Sequence, residues 1–290
     1  MASVREMSQT RKWCLIEIPD HQGVFNVGGR VGACYGPVAF RRVFERMGGA
    51  ATIRDLMAHQ WTTPQIGSDV SANHRRAADC VREAHKLQPL SLVIGGGHDH
   101  GFSHLWGIRE ALGPEARLGC INIDAHLDLR KPSPKPSSGS PFYLAIEQAV
   151  LQPKDLVEFG IQPHCNAPAL WDYVARKNIE VVPWKALRFS DRVALFQRTL
   201  EKLARRADQI VISFDLDSVA QAFAPGVSAP QSEGFHPSEI MAMMEIAGSH
   251  AQVLSLGIFE LNPEHDRDDA TARVAALSAY YFLDAALSRP

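Results

Sequence analysis

Short apolar runs that stop at glycine or at charged residues, each leading into a segment of helical periodicity, constrain this chain more than any other feature. The runs lie at 13–18, 90–94, 118–123, 156–161, 179–183, 209–217 and 252–259, and read as buried strands. Helical patterns fall between them, at about 38–47, 69–87, 102–112, 142–150, 168–177, 191–207 and 237–247, with a closing helix to 287. In the second of these, Val70, Ala77, Val81 and Ala84 make an amphipathic stripe. Unbroken strand and helix alternation predicts an α/β fold with a mostly parallel sheet. At 290 residues and 46% apolar the chain can bury a sizeable core, and neither a composition break nor a repeat divides it, so 1–290 is read as one domain.

Charge and cysteine content narrow the function classes. With 30 basic against 32 acidic residues there is no footprint for nucleic acid or for a membrane surface, whereas a small neutral or zwitterionic partner fits. The five cysteines are widely spaced and include no C-x-x-C pair, which argues against a disulfide framework and a thiolate zinc site. The first eleven residues lack the apolar core of a signal peptide, and no run approaches a membrane span. A cytoplasmic protein is expected.

In an open parallel sheet, functional groups collect at the carboxyl ends of the strands. The run 118–123 ends in D-A-H-L-D, where Asp124, His126 and Asp128 recur at spacings of two and point the same way in an extended chain. Read alone, these are either half of a metal site or two carboxylates and a histidine decorating a loop. Two other strand ends carry matching groups: G-G-G-H (95–98) delivers His98, and S-F-D-L-D (213–217) places Asp215 and Asp217 on one face. Paired carboxylates repel unless a cation lies between them. Two nitrogen and four oxygen donors are too many for one zinc and suit two hard divalent ions, with Mn²⁺ before Mg²⁺ because imidazole is present. Two-metal sites lower the pKa of a shared water and so make a nucleophile.

Other polar segments surround these ends. Residues 23–36 read as a glycine-rich loop offering Asn26 and Arg30, though not in dinucleotide-binding spacing, and a solvated turn is the plainer reading. The Pro/Ser segment 131–141 reads as a wall of the site. Asp99 and His100 are either partners that fix the tautomer of His98, a proton shuttle in the case of His100, or capping and solvent-facing groups. His104, His164, His236, His250 and His265 read as structural or surface residues, and Met241, Met243 and Met244 as helix packing.

The combination of G-G-G-H (95–98), D-A-H-L-D (124–128), S-F-D-L-D (213–217) and F-E-L-N-P with D-x-x-x-T-A (259–272) resembles the arginase/agmatinase ureohydrolase family of dinuclear manganese enzymes. The resemblance implies a three-layer α/β/α fold with an eight-stranded sheet, two Mn²⁺ per subunit and a homo-oligomer. It implies that His98, Asp124, His126, Asp128, Asp215 and Asp217 are the ligands. His98 and Asp128 complete one ion's set, His126 and Asp217 belong to opposite ions, and Asp124 and Asp215 are shared.

Within the family, segment 23–36 and A-P-G-V-S-A-P (224–230) with Gly234-Phe235 look most like the formimidoylglutamase branch. Two departures from arginases stand out: Ala220-Gln221 replaces a further Asp-Pro, and Ser138-Gly139 replaces a histidine-glycine pair thought to shuttle protons. The expected reaction is hydrolysis of N-formimino-L-glutamate to L-glutamate and formamide, as in histidine degradation. Hydroxide shared by the two ions attacks the formimino carbon, and Asp128 helps to orient it. Glu260 holds the amidinium nitrogens, although a helix-capping or surface acid is its plain alternative. Arg30 is expected to take the substrate carboxylates bidentately. The competing readings are a guanidino-acid or agmatine-type hydrolase releasing urea, and a metal-binding homologue without catalysis.

Overall fold

The computed structural model describes residues 12–62 and 66–289. Eight strands form one all-parallel sheet: β1 Trp13–Glu17, β2 Met57–Thr62, β3 Leu90–Ile94, β4 Leu118–Ile123, β5 Leu156–Ile161, β6 Glu180–Pro183, β7 Gln209–Asp215 and β8 Val253–Phe259. Their order across the sheet is β2-β1-β3-β8-β7-β4-β5-β6. Period-two alternation divides the strand side chains between two helical layers. Trp13, Leu15, Leu92, Ile121 and Phe214 face a layer that includes Phe40, Phe196, Met243 and Phe282. Cys14, Ile16, Val93, Cys120 and Val211 face the opposite layer, with Val81, Phe102 and Leu105. Because both faces of the inner strands are covered, these strands are largely apolar, which is why they stand out in the sequence.

The helices follow from equally local causes. Val70–Leu87 starts where the Asp69 side chain accepts the Ser71 and Ala72 amides, and its stripe of Val70, Ala77, Val81 and Ala84 is buried. Among the described residues no helix is long and apolar enough to cross a membrane.

Two expectations need correction. The eighth strand, β2, lies at the sheet edge with the half-exposed sequence M-A-H-Q-W-T, and it follows a short helix at Ala51–Asp55. An edge strand open to solvent lacks the continuous apolar run that marks the others. Segment 23–36 is also not one loop: it holds a helix at Gln22–Val27, closed by Gly28 at φ 75°, and a 3₁₀ turn at Ala33–Tyr35. Its apolar Phe25 and Val27 point outward, so no buried stripe betrays the helix.

One buried histidine gives the fold an acid limit. His104, on the helix His100–Leu112, lies against Ser255 Oγ at 2.6 Å, and burial, with His85 nearby, pushes its pKa from 6.5 to about 3. Between these values the unfolded chain takes up a proton that the folded chain refuses. Its contribution is therefore complete above pH 6.5 and is lost as the pH falls toward 3. Near pH 5 this one group should cost roughly 2 kcal/mol relative to neutral pH. Urea midpoints across that range should show the slope, and His104→Asn should flatten it. An unchanged slope in the variant would assign the effect to other groups.

Candidate metal centre

The four central strands, in the order β3-β8-β7-β4, all end at one place. After β3 the chain runs through Gly95, Gly96 and Gly97 directly beneath the backbone of Asp20, where a Cβ on Gly96 would lie 1.6 Å from the Asp20 carbonyl oxygen. Only glycine permits that approach. His98 follows, its amide donating to Glu260 Oε1 at 2.8 Å and its ring stacked on Phe259, centroids 4.9 Å apart. Its Nε2 meets Ser213 Oγ at 2.8 Å, which turns Nδ1 toward the carboxylates.

His98 Nδ1 lies 3.1 Å from Asp124 Oδ2 and 3.0 Å from both Asp128 Oδ2 and Asp215 Oδ2. His126 Nδ1 lies 3.1 Å from Asp217 Oδ2 and 3.5 Å from Asp124 Oδ1. Two donor groups result, His98 with Asp124, Asp128 and Asp215, and His126 with Asp124 and Asp217, and Asp124 presents one oxygen to each. The two aspartates that open their motifs share a local device: Asp124 Oδ1 accepts the His126 amide at 2.7 Å, and Asp215 Oδ1 accepts the Asp217 amide at 2.8 Å. Strand register pairs Ile123 with Phe214, so Asp124 lies beside Asp215, and His126 beside Asp217. This grouping corrects the expectation that His126 and Asp217 serve opposite ions.

Backbone conformation aims two further groups. Asp128 and Glu260 have φ of 47° and 67°, a left-handed conformation costly for residues with a Cβ. Both carboxylates line the cavity above the strand ends, together with His98, His126, Asp215, Asp217, Arg130, Ser138 and Ser228. The cavity is small, about 70 Å³, and opens to solvent.

The electrostatics favour a cation. Burial would keep His98 neutral, but Asp124, Asp128 and Asp215 hold its pKa well above 6.5, and Asp217 and Asp124 do the same for His126. Burial and neighbouring carboxylates raise Asp215 well above the usual range, Asp217 to about 6, and Asp128 less far. Asp124 alone falls, because both histidines hydrogen-bond to it strongly enough to overcome burial. His98 Nδ1 and Asp217 Oδ1 are buried without a well-formed hydrogen bond among the described residues. Six oxygen and nitrogen donors so arranged fit hard divalent ions better than they fit one another.

The structure brings the six expected ligand residues, Glu260 and Ser138 together, and separates two others. Arg30 donates its guanidinium to the carbonyls of Pro225 and Val227 and does not line the cavity, which corrects its expected role toward substrate carboxylates. The carbonyls of the 224–230 turn take its N–H groups instead. Asn26 is exposed on the rim and donates to the Pro136 carbonyl at 2.7 Å, tying Gln22–Val27 to the 131–141 segment instead of facing the cavity. Asp99 and His100 are buried away from the cavity, paired with His74 at 2.7 Å and Asp20 at 3.0 Å, so neither holds His98 nor shuttles a proton there.

Arg130 was missed, though the sequence signal was present. It continues the spacing of two that links His126 and Asp128. Its backbone amide donates to the Gly139 carbonyl at 2.8 Å, and its side chain lies against Gly139, where a Cβ would come within 2.8 Å of Cδ. Among the described residues its guanidinium has no hydrogen-bond or ion-pair partner. Ser228, which lines the cavity with Glu260, carried no signal in the sequence.

A model of the arginase family matches residues 13–283. The formimidoylglutamase of Geobacillus thermodenitrificans is 37% identical over 270 residues, covering 88% of this chain and 78% of the relative. That of Streptococcus pyogenes is 29% identical over 288 residues, covering 93% and 84%. A crystal structure of Trypanosoma cruzi formiminoglutamase with Mn²⁺ superposes with a TM-score of 0.85 at 27% identity, covering 98% of this chain and 96% of that one. By fold, by strand-end residues and by sequence over nearly its whole length, the chain belongs to the arginase family.

Proposed function

We propose that residues 1–290 form one catalytic unit that hydrolyses N-formimino-L-glutamate to L-glutamate and formamide with two Mn²⁺ ions. The observation that carries this reading is the pair of donor groups sharing Asp124 at the floor of a cavity that also holds Glu260 and Arg130. His98, Asp124, Asp128 and Asp215 would hold one ion, and His126, Asp217 and the other oxygen of Asp124 the second. Such a pair lowers the pKa of a shared water and polarises the amidine carbon.

The protein's own groups do the rest. Glu260 Oε1 is occupied by the His98 amide, leaving Oε2 free of partners in the cavity wall to hold the amidinium nitrogens. Burial, the leading influence, raises its pKa to about 8, and a cationic amidinium beside it favours the ionised form. Asp128, on its left-handed backbone, lines the cavity and would orient the attacking water. Water's oxygen adds to the formimino carbon, the C–N bond to the glutamate nitrogen breaks, and a proton moves to that nitrogen. Ser138 and Gly139 line the cavity wall; the resemblance implies that they replace the histidine-glycine pair of arginases, which would favour a formimino over a guanidino substrate. The 37% identity to a relative named formimidoylglutamase supports the same choice.

Arg130 is the cation for the substrate carboxylates. Arg130→Met should raise KM by about 10- to 100-fold with kcat changed little, since a charge-assisted pair is lost that ground and transition states share. A fall in kcat at constant KM would place Arg130 in the chemistry instead. Mn²⁺-loaded protein assayed against formiminoglutamate, agmatine, arginine and guanidinobutyrate tests the whole reading. Formamide from the first supports it, urea from a guanidino compound alone rejects it, and no turnover of any favours a non-catalytic metal-binding protein.

A further inference from the structure

The segment after β5 touches none of the cavity, yet it grips the chain on both sides of His126. The Gln162 amide donates to the Ala125 carbonyl at 2.9 Å. Asn166, 8% exposed, donates its Nδ2 to that carbonyl at 3.1 Å and to the Gln162 carbonyl at 2.9 Å. Its Oδ1 accepts the Leu127 amide at 2.8 Å. One side-chain amide thus satisfies the carbonyl before His126 and the N–H after it, as a neighbouring strand would, where the β4–β5 ladder has already ended at Ile123 and Phe159. The same segment reaches the loop beyond β7: Gln162 Nε2 donates to the Glu233 carbonyl at 2.7 Å, and Cys165 Sγ to Gln231 Oε1 at 3.2 Å.

We propose that Asn166 is a positioning residue for the second metal site: its amide substitutes for the missing strand pairing and fixes the backbone of residues 125–127, so that His126 Nδ1 stands opposite Asp217 before any ion arrives. The inference rests on His126 and Asp217 being ligands of the second ion. Without the clamp, the Leu127 N–H loses its partner and the Ala125 carbonyl keeps only the Gln162 amide, so the loop must be ordered at the expense of metal affinity. Groups that orient ligand residues typically change metal affinity by about 10- to 100-fold when removed.

Manganese titrations followed by electron paramagnetic resonance on the whole protein give the test. In Asn166→Ala and in the milder Asn166→Ser, the weaker of two Mn²⁺ dissociation constants should rise at least tenfold, the tighter one should move less, and turnover should recover at saturating Mn²⁺. A lower melting temperature with both constants within twofold of the parent would make Asn166 merely structural and overturn the proposal. The unsubstituted protein supplies an arm that does not depend on either variant folding. In metal-free protein the Leu127 amide should exchange with deuterium as slowly as in the Mn²⁺-loaded form. Fast exchange that Mn²⁺ alone suppresses would show that the ion orders the loop, and would sink the idea. If the parent protein binds no Mn²⁺ at all, the metal reading fails rather than the clamp.

Discussion

His126→Ala should leave a folded protein that binds at most one Mn²⁺ and turns over substrate at least ~10³-fold more slowly. His126 is the only nitrogen donor in the group with Asp124 and Asp217, and its Nδ1 lies 3.1 Å from Asp217 Oδ2. Removing it leaves two buried carboxylates, of which Asp217 already resists ionisation, its pKa standing at about 6 with the histidine in place. An ion there would then have to be held by Asp124 and Asp217 alone, and the first donor group already draws on Asp124. The folding cost is limited because a proton on Asp217 can replace the lost positive charge. Metal analysis of the purified variant and its circular dichroism separate the outcomes. Full activity with one ion or none would end the dinuclear account.

Glu260→Gln should reduce kcat/KM by about 10²–10³-fold while metal content stays at the parent's level. A glutamine oxygen can still accept the His98 amide, now 2.8 Å from Glu260 Oε1, so the loop that carries His98 should keep its place. What disappears is the negative charge on Oε2, which has no hydrogen-bond partner among the described residues and faces the cavity. Holding a left-handed φ of 67° costs the backbone energy, and such strain is retained where it aims a side chain at a ligand. Isothermal titration with Mn²⁺, alongside steady-state kinetics, reads both quantities. Loss of metal together with activity would instead show that Glu260 only supports His98.

The six inner strands were legible because a strand covered on both faces is largely apolar, and β6, half-buried at one edge, because it keeps the pair Val181-Val182. β2, half-covered at the other edge, was not, because its M-A-H-Q-W-T residues break any apolar run. The candidate ligand residues were legible for a related reason. Charged groups are rare inside these buried strands, Glu17 and Glu158 apart, so Asp124, Asp215 and His98 stand out where the apolar runs end. Arg30 misled for lack of tertiary information: nothing local distinguishes an arginine that faces a substrate from one whose guanidinium closes on the carbonyls of Pro225 and Val227 nearly two hundred residues away.

The sequence by itself therefore determined the α/β class and the six donor residues, since burial patterns and spacings of two are properties of neighbours along the chain. Its resemblance to known motifs supplied the family. Only the tertiary structure decided how those donors divide. The β4–β7 register sets His126 beside Asp217, and the bond from Ser213 turns His98 Nδ1 toward Asp124, Asp128 and Asp215. It also decided which arginine reaches the cavity and which buried amide steadies the loop around His126, because Gly139 beside Arg130 and Asn166 beside Ala125 and Leu127 meet only after the strands have paired.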